Sequence, residues 1–378
     1  MEQKAFYKQL VERYVAKLLS DEELEVFVEL AKQGKLDQEL SRAMDEAEQN
    51  FAVEELLTVP AVRRRLWPKI AIAAAVFLAV VFGILFFYNP VEDTIDTRFA
   101  NNEISSGTNG ATLTLPNGKV IQLSDAQKGV KVAPGSLTYQ DGSSVFNAEN
   151  KNDIADAGTV AMKATTSRGQ TYMILLQDGT KVWLNAASTL KFPSTFAASN
   201  QRTVVLEGEA YFEVFKNKSQ PFVVTTEKSA ATPKQEIIVL GTHFNVNAYK
   251  GESSIKTTLL EGSVKIAEES GMEEILKPNQ QAVLSGAGQL SVANVDAALA
   301  VDWKNGSFIF QGQKLSELMK RVERWYNVQV SYKNNEIKDL TFTGEISKYD
   351  KIEELLKILE RTGRVKFEIE GSKIIVSN

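Results

Sequence analysis

The chain has 378 residues, a formal net charge of −5 and a sequence pI of about 5.4. This mildly acidic and ordinarily hydrophobic composition excludes a strongly basic nucleic-acid binder and a disordered tail, so no direct contact with nucleic acid is expected. Because the sequence contains no cysteine, disulfides, thiolate metal sites and cysteine nucleophiles are excluded as well.

Residues 1–69 are predicted to form a small all-α cytoplasmic domain. Apolar residues recur at helical spacing in a first helix: Tyr7, Leu10, Val11, Tyr14, Val15 and Leu18. Ser20 and Glu23 then have the spacing of a capping box, which predicts the start of a second helix that ends near Gly34. A third helix is expected from about Leu36 onward.

Residues 1–60 are more acidic than the chain as a whole, with fourteen Asp and Glu against seven Lys and Arg, a net charge of −7. Such a unit suits a basic protein partner, because complementary potentials raise encounter rates. A solvated acidic surface explains the same composition, and on charge alone that interpretation is preferred.

Residues 70–88 contain no charge and are predicted to form one transmembrane helix, because 19 helical residues span roughly 28 Å. The flanking charges are Arg63, Arg64, Arg65 and Lys69 before the run and Glu92, Asp93 and Asp96 after it. This asymmetry places the N-terminus in the cytoplasm and the C-terminal part in the periplasm, so a single-pass protein of the inner membrane is expected. An anchor is preferred to a signal peptide, because the run begins late and no small-residue cleavage site follows it.

Small residues recur at every fourth position of this predicted span: Ala71, Ala75, Ala79 and Gly83. This small-xxx-small pattern is typical of a stripe that packs closely against another membrane helix. Alanine is common in membrane spans, so chance explains the pattern well and is preferred to helix pairing.

After a linker over residues 89–110, residues 111–300 are predicted to form an all-β domain of stacked hairpins, a roll or a β-helix-like arrangement. Hairpins are expected around Asn117-Gly118 and Asp178-Gly179. Further strands are predicted over residues 203–215, 222–226, 237–249, 254–266 and 282–284. In the first of these, alternation places Glu207, Glu209 and Glu213 on one face. These glutamates are interpreted as a solvated surface rather than as a glycosidase site.

Residues 301–378 are predicted to form an α+β domain of two βαβ units. Trp325 and Tyr326 close the first helix of this domain. Aromatic residues at a helix end are typical of a core, although they could also contact a partner.

No catalytic chemistry is indicated, and the protein is not expected to be an enzyme. His243 is the only histidine, so a metal site rich in histidine cannot form and this residue is interpreted as structural. Phosphate-binding glycine motifs do not occur. No catalytic, cofactor-binding or metal-ligating residue and no cofactor is therefore predicted.

Several segments resemble the FecR family of transmembrane anti-sigma factors. They are residues 176–193 (LQDGTKVWLNAASTLKFP), 205–214 (VLEGEAYFEV), 221–225 (PFVVT), 240–246 (LGTHFNV) and 260–265 (LEGSVK). Residues 302–308 (DWKNGSF) and 324–330 (RWYNVQV) are similar to the C-terminal domain of the Bacteroidetes branch, a relative of the secretin/TonB short N-terminal fold.

The resemblance implies an inner-membrane anti-sigma factor that relays a periplasmic signal. The implied partners are the signalling domain of a TonB-dependent outer-membrane transducer and an extracytoplasmic-function (ECF) sigma factor, with membrane lipid around the span. The hypothesis assigns sigma-factor binding to Tyr14, Leu18, Leu24, Phe27 and Val28, and transducer contact to Trp325 and Tyr326. An intramembrane protease is a further expected partner, because irreversible cleavage escapes the limit that binding energy sets on an equilibrium shift. The alternative is a membrane-anchored periplasmic module that binds glycan or cell-wall polymer.

Overall fold

The structure is a computed structural model and describes residues 2–15, 19–36, 38–43, 104–133, 136–145 and 161–378. The chain divides into two compact units, Met1–Glu92 and Asp93–Asn378. The predicted span over residues 70–88, with Ala71, Ala75, Ala79 and Gly83, lies outside the described residues.

The first unit contains three described helices: α1 (Glu2–Val15), α2 (Asp21–Lys32) and α3 over residues 38–43. The predicted capping box at the start of α2 is confirmed. The Ser20 hydroxyl accepts a hydrogen bond from the backbone N–H of Glu23 at 3.3 Å, and the Glu23 carboxylate accepts one from the N–H of Ser20 at 2.9 Å. Leu10, Val11, Phe27 and Leu36 form the small buried core of these helices.

The second unit begins with a curled β-sheet. Its described strands are β1 (Thr108–Asn109), β2 (Ala111–Thr114), β3 (Val120–Leu123), β4 (Gly129–Ala133), β5 (Ser136–Tyr139), β6 (Ala161–Thr165), β7 (Gln170–Leu175), β8 (Lys181–Leu184), β9 (Thr189–Pro193), β10 (Arg202–Glu213), β11 (Phe222–Thr226), β12 (Gln235–Val239), β13 (His243–Ala248), β14 (Ser254–Glu261), β15 (Val264–Glu268), β16 (Glu273–Leu276), β17 (Gln280–Ser285) and β18 (Leu290–Asn294). The two predicted hairpins are confirmed, because β2 pairs antiparallel with β3 and β7 with β8.

The long strand β10 joins the two halves of this sheet. Its first half pairs with β9 and β11, and its second half pairs with β8 and β13. In spatial order, the first layer is β3-β2-β6-β9-β10-β11-β12-β15-β16, and the second layer is β5-β4-β7-β8-β10-β13-β14-β17-β18. The layers enclose one apolar core, in which Phe212 contacts the rings of both Phe222 and Phe244.

The C-terminal part of the second unit packs two sheets with its helices. Its elements are α4 (Asp302–Asn305), β19 (Ser307–Lys314), α5 (Leu315–Tyr326), β20 (Gln329–Tyr332), β21 (Thr341–Ser347), α6 (Ile352–Glu360), β22 (Lys366–Glu370) and β23 (Lys373–Ser377), with 3-10 turns at Ala297–Val301 and Asn335–Asp339. β19 pairs with β21, whereas β20 pairs with β23, which pairs with β22. The two strands that flank each helix therefore belong to different sheets, which corrects the predicted pair of βαβ units.

The predicted fold class needs correction as a whole. Within the described residues the protein is mostly β, and none of their helices is long and apolar enough to cross a membrane. The longest, α1, has 14 residues and so spans roughly 21 Å, short of a bilayer core of about 30 Å. The described residues thus do not show the predicted succession of a cytoplasmic all-α domain and one transmembrane helix.

Two predicted strands are each divided by a glycine. The predicted strand over residues 237–249 is interrupted at Gly241, and the one over residues 254–266 is interrupted at Gly262, which has φ +95°. An added Cβ at Gly241 would lie 2.7 Å from the Lys216 Cα. The glycines allow the chain to leave one layer and enter the other where backbones approach closely.

Candidate functional site

A cleft of about 460 Å³ lies between the second β layer and the C-terminal part of the second unit. Its β wall includes Asn245, Asn247 and Lys256, and its other wall includes strand β19 and Arg321 on α5. The volume is within the usual range for binding clefts, and such clefts commonly form where two domains meet.

Glu209 lies at the floor of this cleft and is only 8% exposed. Its two carboxylate oxygens accept hydrogen bonds from the side-chain amides of Asn185 at 2.8 Å and Asn245 at 2.9 Å. Burial raises the pKa of Glu209, and the two amide donors and the positive charge of Arg324 offset part of that rise. The interpretation of Glu209 as a solvated glutamate is therefore wrong, although Glu207 and Glu213 on the same strand remain partly exposed.

A second buried carboxylate, Asp302, fixes the C-terminal wall. It is 2% exposed and pairs with the Arg321 guanidinium, and its Oδ2 also accepts the backbone N–H of Ile309 at 2.7 Å. Arg321 donates in turn to the carbonyl oxygen of Ile309 at 3.1 Å. Both backbone groups of Ile309 on β19 are thereby satisfied, and the strand edge that faces the cleft is held rigidly.

Arg324 clamps the two parts of the unit together. Its Nη1 lies 2.9 Å from Oε1 of Glu252, in the connection after β13, and its guanidinium carbon lies 4.0 Å from the ring centroid of Tyr249. The Tyr249 hydroxyl donates to the carbonyl oxygen of Ala186 at 2.8 Å. These contacts combine an ion pair with a cation–π interaction, both largely withdrawn from solvent.

Amide and charged side chains line the cleft. The lining residue Asn247 has a buried side-chain oxygen, Oδ1, without a hydrogen-bond partner. Cationic and anionic side chains line the mouth, with Lys256 and Lys314 on one hand and Asp296 and Glu317 on the other. Among the described residues, no group of three or more histidine, aspartate or glutamate side chains could hold a metal ion.

The residues assigned to sigma-factor binding lie on the helices of the first unit. Tyr14 is exposed and stacks on the buried ring of Phe27 with centroids 4.2 Å apart, and Val28 is exposed. Leu24 lies in α2, and Leu18 lies outside the described residues. The proposed contact of this set with a sigma factor stays a prediction.

Trp325 and Tyr326, assigned to transducer contact, lie in the core of the C-terminal part. They are 3% and 4% exposed. The Trp325 indole donates to the Lys348 carbonyl oxygen at 2.5 Å, and the Tyr326 hydroxyl donates to that of Asp350 at 2.9 Å. A partner could touch these rings only after the surrounding segments had moved.

His243 lies at the start of β13 and pairs with Glu261 on β14, with Nδ1 3.1 Å from Oε2. The sequence did not predict the cleft with its lining residues Glu209, Asn245 and Arg321, nor the ion pair of Arg324 with Glu252. Polar amides inside otherwise apolar strands, as at Asn245, were the available signal, because a buried amide needs a partner.

The two walls of the cleft correspond to two known protein families. The FecR protein family matches residues 162–265, which contain Asn185, Glu209 and Asn245. The FecR C-terminal family matches residues 307–376, which contain Arg321 and Arg324. The cleft therefore has lining residues from both family segments and from the residues between them.

Two crystal structures of a protein described as a candidate anti-sigma factor from Parabacteroides distasonis ATCC 8503 are similar to the chain. Each is 27% identical with a TM-score of 0.52. The similarity covers 57% of this chain and 97% of that chain in the structure at 1.65 Å, and 58% and 99% in the one at 2.50 Å. Among curated proteins, none matches the chain significantly. The two family segments, arranged around β10 and α5, and the similarity to these structures support a FecR-family anti-sigma factor.

Proposed function

We propose that this protein is an anti-sigma factor that passes a periplasmic signal to an extracytoplasmic-function sigma factor. The observation that carries the coarser conclusion, regulation of a sigma factor, is the pair of FecR segments together with the similarity to the Parabacteroides protein. The sigma-factor class, the signal source and the location at the inner membrane are the finer parts of the proposal.

The surface of the first unit supports a protein partner at its helices. Large apolar side chains there, Phe6, Tyr14 and Val28, are 43–48% exposed. Exposed apolar groups on so small a unit favour burial against a partner. The net charge of −7 over residues 1–60 would steer a basic sigma-factor surface toward them.

The cleft supports a protein partner at the second unit. In this proposal the signalling domain of a TonB-dependent transducer contacts the periplasmic β unit at the cleft mouth, where Lys256, Lys314, Asp296 and Glu317 offer both signs of charge. The N-terminal helices lie in the cytoplasm, in keeping with the basic residues at 63–65. Membrane lipid and an intramembrane protease complete the proposed set of partners.

Co-expression of the full chain with the sigma factor encoded beside it tests the proposal. We expect the two to co-purify at micromolar concentrations and the transcription of a reporter to depend on the full chain. Charge reversal at the cleft mouth, Lys314→Glu, should alter the response to inducer without loss of the sigma complex. Lys333→Glu is the control, because Lys333, which follows β20 directly, is exposed and does not line the cleft. Absence of any sigma complex would overturn the proposal.

A second candidate function is a periplasmic module that binds glycan or cell-wall polymer. The amide side chains on the cleft walls, Asn245, Asn247, Gln281, Gln311 and Gln313, favour it, because amides can both donate to and accept from sugar hydroxyls. Sedimentation of the full chain with purified cell-wall polymer tests it. Retention that Gln281→Ala abolishes would support this function over transducer binding.

A further inference from the structure

We infer that residues 104–107, the entry strap, are latched by helix α5, so that a displacement of the C-terminal part of the unit releases the point at which the chain enters the β unit. The strap is the first described segment of the second unit and leads directly into β1. This inference goes beyond the proposed function, because it requires no particular partner.

The strap is held first by steric fit at Gly107. This residue is buried, and a Cβ added there would lie 2.6 Å from the Gly169 carbonyl oxygen and 2.7 Å from two ring carbons of Trp325. Such distances leave no room for a side chain, so the strap backbone lies directly against the indole. Trp325 is the penultimate residue of α5, and a shift of this helix end changes the support of the strap.

A relay of backbone hydrogen bonds connects the same three segments. The N–H of Thr108 donates to the carbonyl oxygen of Gly169 at 2.8 Å, and the N–H of Gly169 donates to that of Arg324 at 2.7 Å. The N–H of Gly110 donates to the carbonyl oxygen of Thr171 at 3.1 Å. The loop that carries Gly169 thus lies between strap and helix and is bonded to both.

Few other contacts fix the strap in place. Strand β1 has two residues and pairs only through Thr108 with Gln170 and Asn109 with Thr171. Ile104 packs against the apolar core of the C-terminal part, not against the core of the β layers. Beneath the strap is a cavity of about 330 Å³, lined by residues 104–107 together with Trp325, Asn327 and Ser372. A poorly packed segment opens at lower cost than a close-packed one.

These contacts make the strap and α5 mutually dependent. Anything that draws α5 away removes the Trp325 support, the Ile104 contact and the Arg324 bond to the Gly169 loop together. Release of the strap therefore frees residue 104, the first described residue of the second unit, when the C-terminal part moves. Linkage requires the reverse as well, so a fixed strap stabilises the docked helix.

Hydrogen exchange of the full chain, read by mass spectrometry on peptides that cover residues 104–111, tests the latch. Trp325→Ala should raise the exchange rate there at least about tenfold. Trp303→Ala is the matched control, since Trp303 is a similarly buried tryptophan of the same part, 5% against 3% exposed, that does not line the strap cavity. It should change the rate less than about twofold.

Two glycine variants provide a second test, which remains valid if Trp325→Ala unfolds the unit. Gly107→Ala should raise exchange over residues 104–111 by pushing the strap off Gly169 and Trp325, while the core strands stay protected. Gly251→Ala, where no atom lies within 4 Å of the added Cβ, should leave the strap at the wild-type rate. Unchanged strap exchange in folded Gly107→Ala and Trp325→Ala would overturn the inference.

An engineered disulfide distinguishes release of the strap from opening of β7. Thr108 and Gln170 are register partners on neighbouring strands, whose spacing of about 4.8 Å suits a disulfide. The chain contains no other cysteine. In Thr108→Cys/Gln170→Cys/Gly107→Ala, oxidation should restore slow exchange over residues 104–111 and slow the exchange of α5, and reduction should reverse both. Persistently fast exchange of the strap after oxidation would contradict the latch.

Discussion

The guanidinium of Arg324 and the carboxylate of Glu252 meet at 2.9 Å across the boundary between the two FecR segments, with side chains that are only 14% and 19% exposed. Removal of one partner from such a pair leaves the other charge poorly solvated, which costs more than the pair contributes. The contact therefore holds α5 against the β layers.

Arg324→Ala should lower the free energy of unfolding of the full chain by about 2–4 kcal/mol, because the Glu252 pair and the contact with the Tyr249 ring are both lost. Arg324→Lys should recover only part of this, since an ammonium lacks the planar guanidinium face. Urea denaturation followed by tryptophan fluorescence measures both. Lys333→Ala, which breaks the exposed pair with Glu368, should change stability by less than about 0.5 kcal/mol. Equal effects of Arg324→Ala and Lys333→Ala would refute the clamp.

The passage of β10 from one layer to the other depends on Gly208. Its φ is +94°, and an added Cβ would lie 2.5 Å from the Ser188 Oγ and 2.7 Å from the Ser188 Cα. Ser188 cannot retreat freely, because its Oγ accepts the backbone N–H of Glu209 at 2.9 Å. Gly208→Ala combines backbone strain with a steric clash and should cost at least about 3 kcal/mol.

Thermal unfolding and urea denaturation of the full chain measure the effect of Gly208→Ala. The matched control is Gly251→Ala, where φ lies outside the left-handed region and space is open. That change should be neutral or stabilising by up to about 1 kcal/mol, because alanine reduces the entropy of the unfolded chain. A Gly208→Ala protein as stable as wild type would show that β10 crosses the layers without this glycine.

The buried side chain of Lys348 should make the stability of the protein depend on pH in the alkaline range. It is 3% exposed, its ammonium lies 4.1 Å from the ring centroid of Trp325, and burial lowers its pKa to about 8 from the ordinary 10.5, with Asp302 opposing part of the shift. Below pH 8 both folded and unfolded forms carry the proton, and the folded state bears the full cost of a buried charge. Between pH 8 and 10.5 the unfolded state binds more protons, so stability rises with pH.

Lys348→Met should therefore stabilise the protein at pH 7 by about 1–3 kcal/mol, less than the full linkage because the contact of the ammonium with Trp325 is lost. The difference from wild type should shrink as pH rises from 8 to 10.5. Urea denaturation at several pH values measures it. Lys333→Met, at an exposed lysine, is the matched control and should change the stability at pH 7 by less than about 0.5 kcal/mol. A constant difference for Lys348→Met would disprove the shifted pKa.

Local chemistry explains which elements the sequence could predict. The turns at Asn117-Gly118 and Asp178-Gly179 were predicted correctly, because Asn-Gly and Asp-Gly favour a turn in which the glycine has a positive φ. The two glycines have φ values of +83° and +89°. The sequence carries no comparable local signal for the pairing of strands that are far apart in the chain. The order of elements around α5 and α6 was visible, yet which strand pairs with which depends on contacts far apart in the chain.

The cleft could not be predicted from the sequence. Alternation of apolar and polar residues distinguishes the two faces of a strand, but it does not indicate which other segments cover the polar face. Glu209 on β10 has the same alternation pattern as Glu207, but it is buried beside residues far away in the sequence, such as Asp302 and Arg321. The burial of Trp325 and Tyr326 follows from the same distant contacts.

The two exposed valines of α2 allow a sharp test of sigma-factor binding. Val28 belongs to the predicted surface, while Val26 does not, and the two are 43% and 46% exposed. Positions two apart on a helix point to nearly opposite sides. Val28→Asp should weaken the complex of the full chain with its sigma factor at least about tenfold, or about 1.4 kcal/mol, because a charge enters an apolar contact. Val26→Asp should leave the affinity within about twofold, as measured by biolayer interferometry. Equal losses of affinity for the two variants, or a loss for Val26→Asp alone, would place the interface elsewhere. Phe27→Ala is not a suitable variant for this test, because Phe27 is in the helix core.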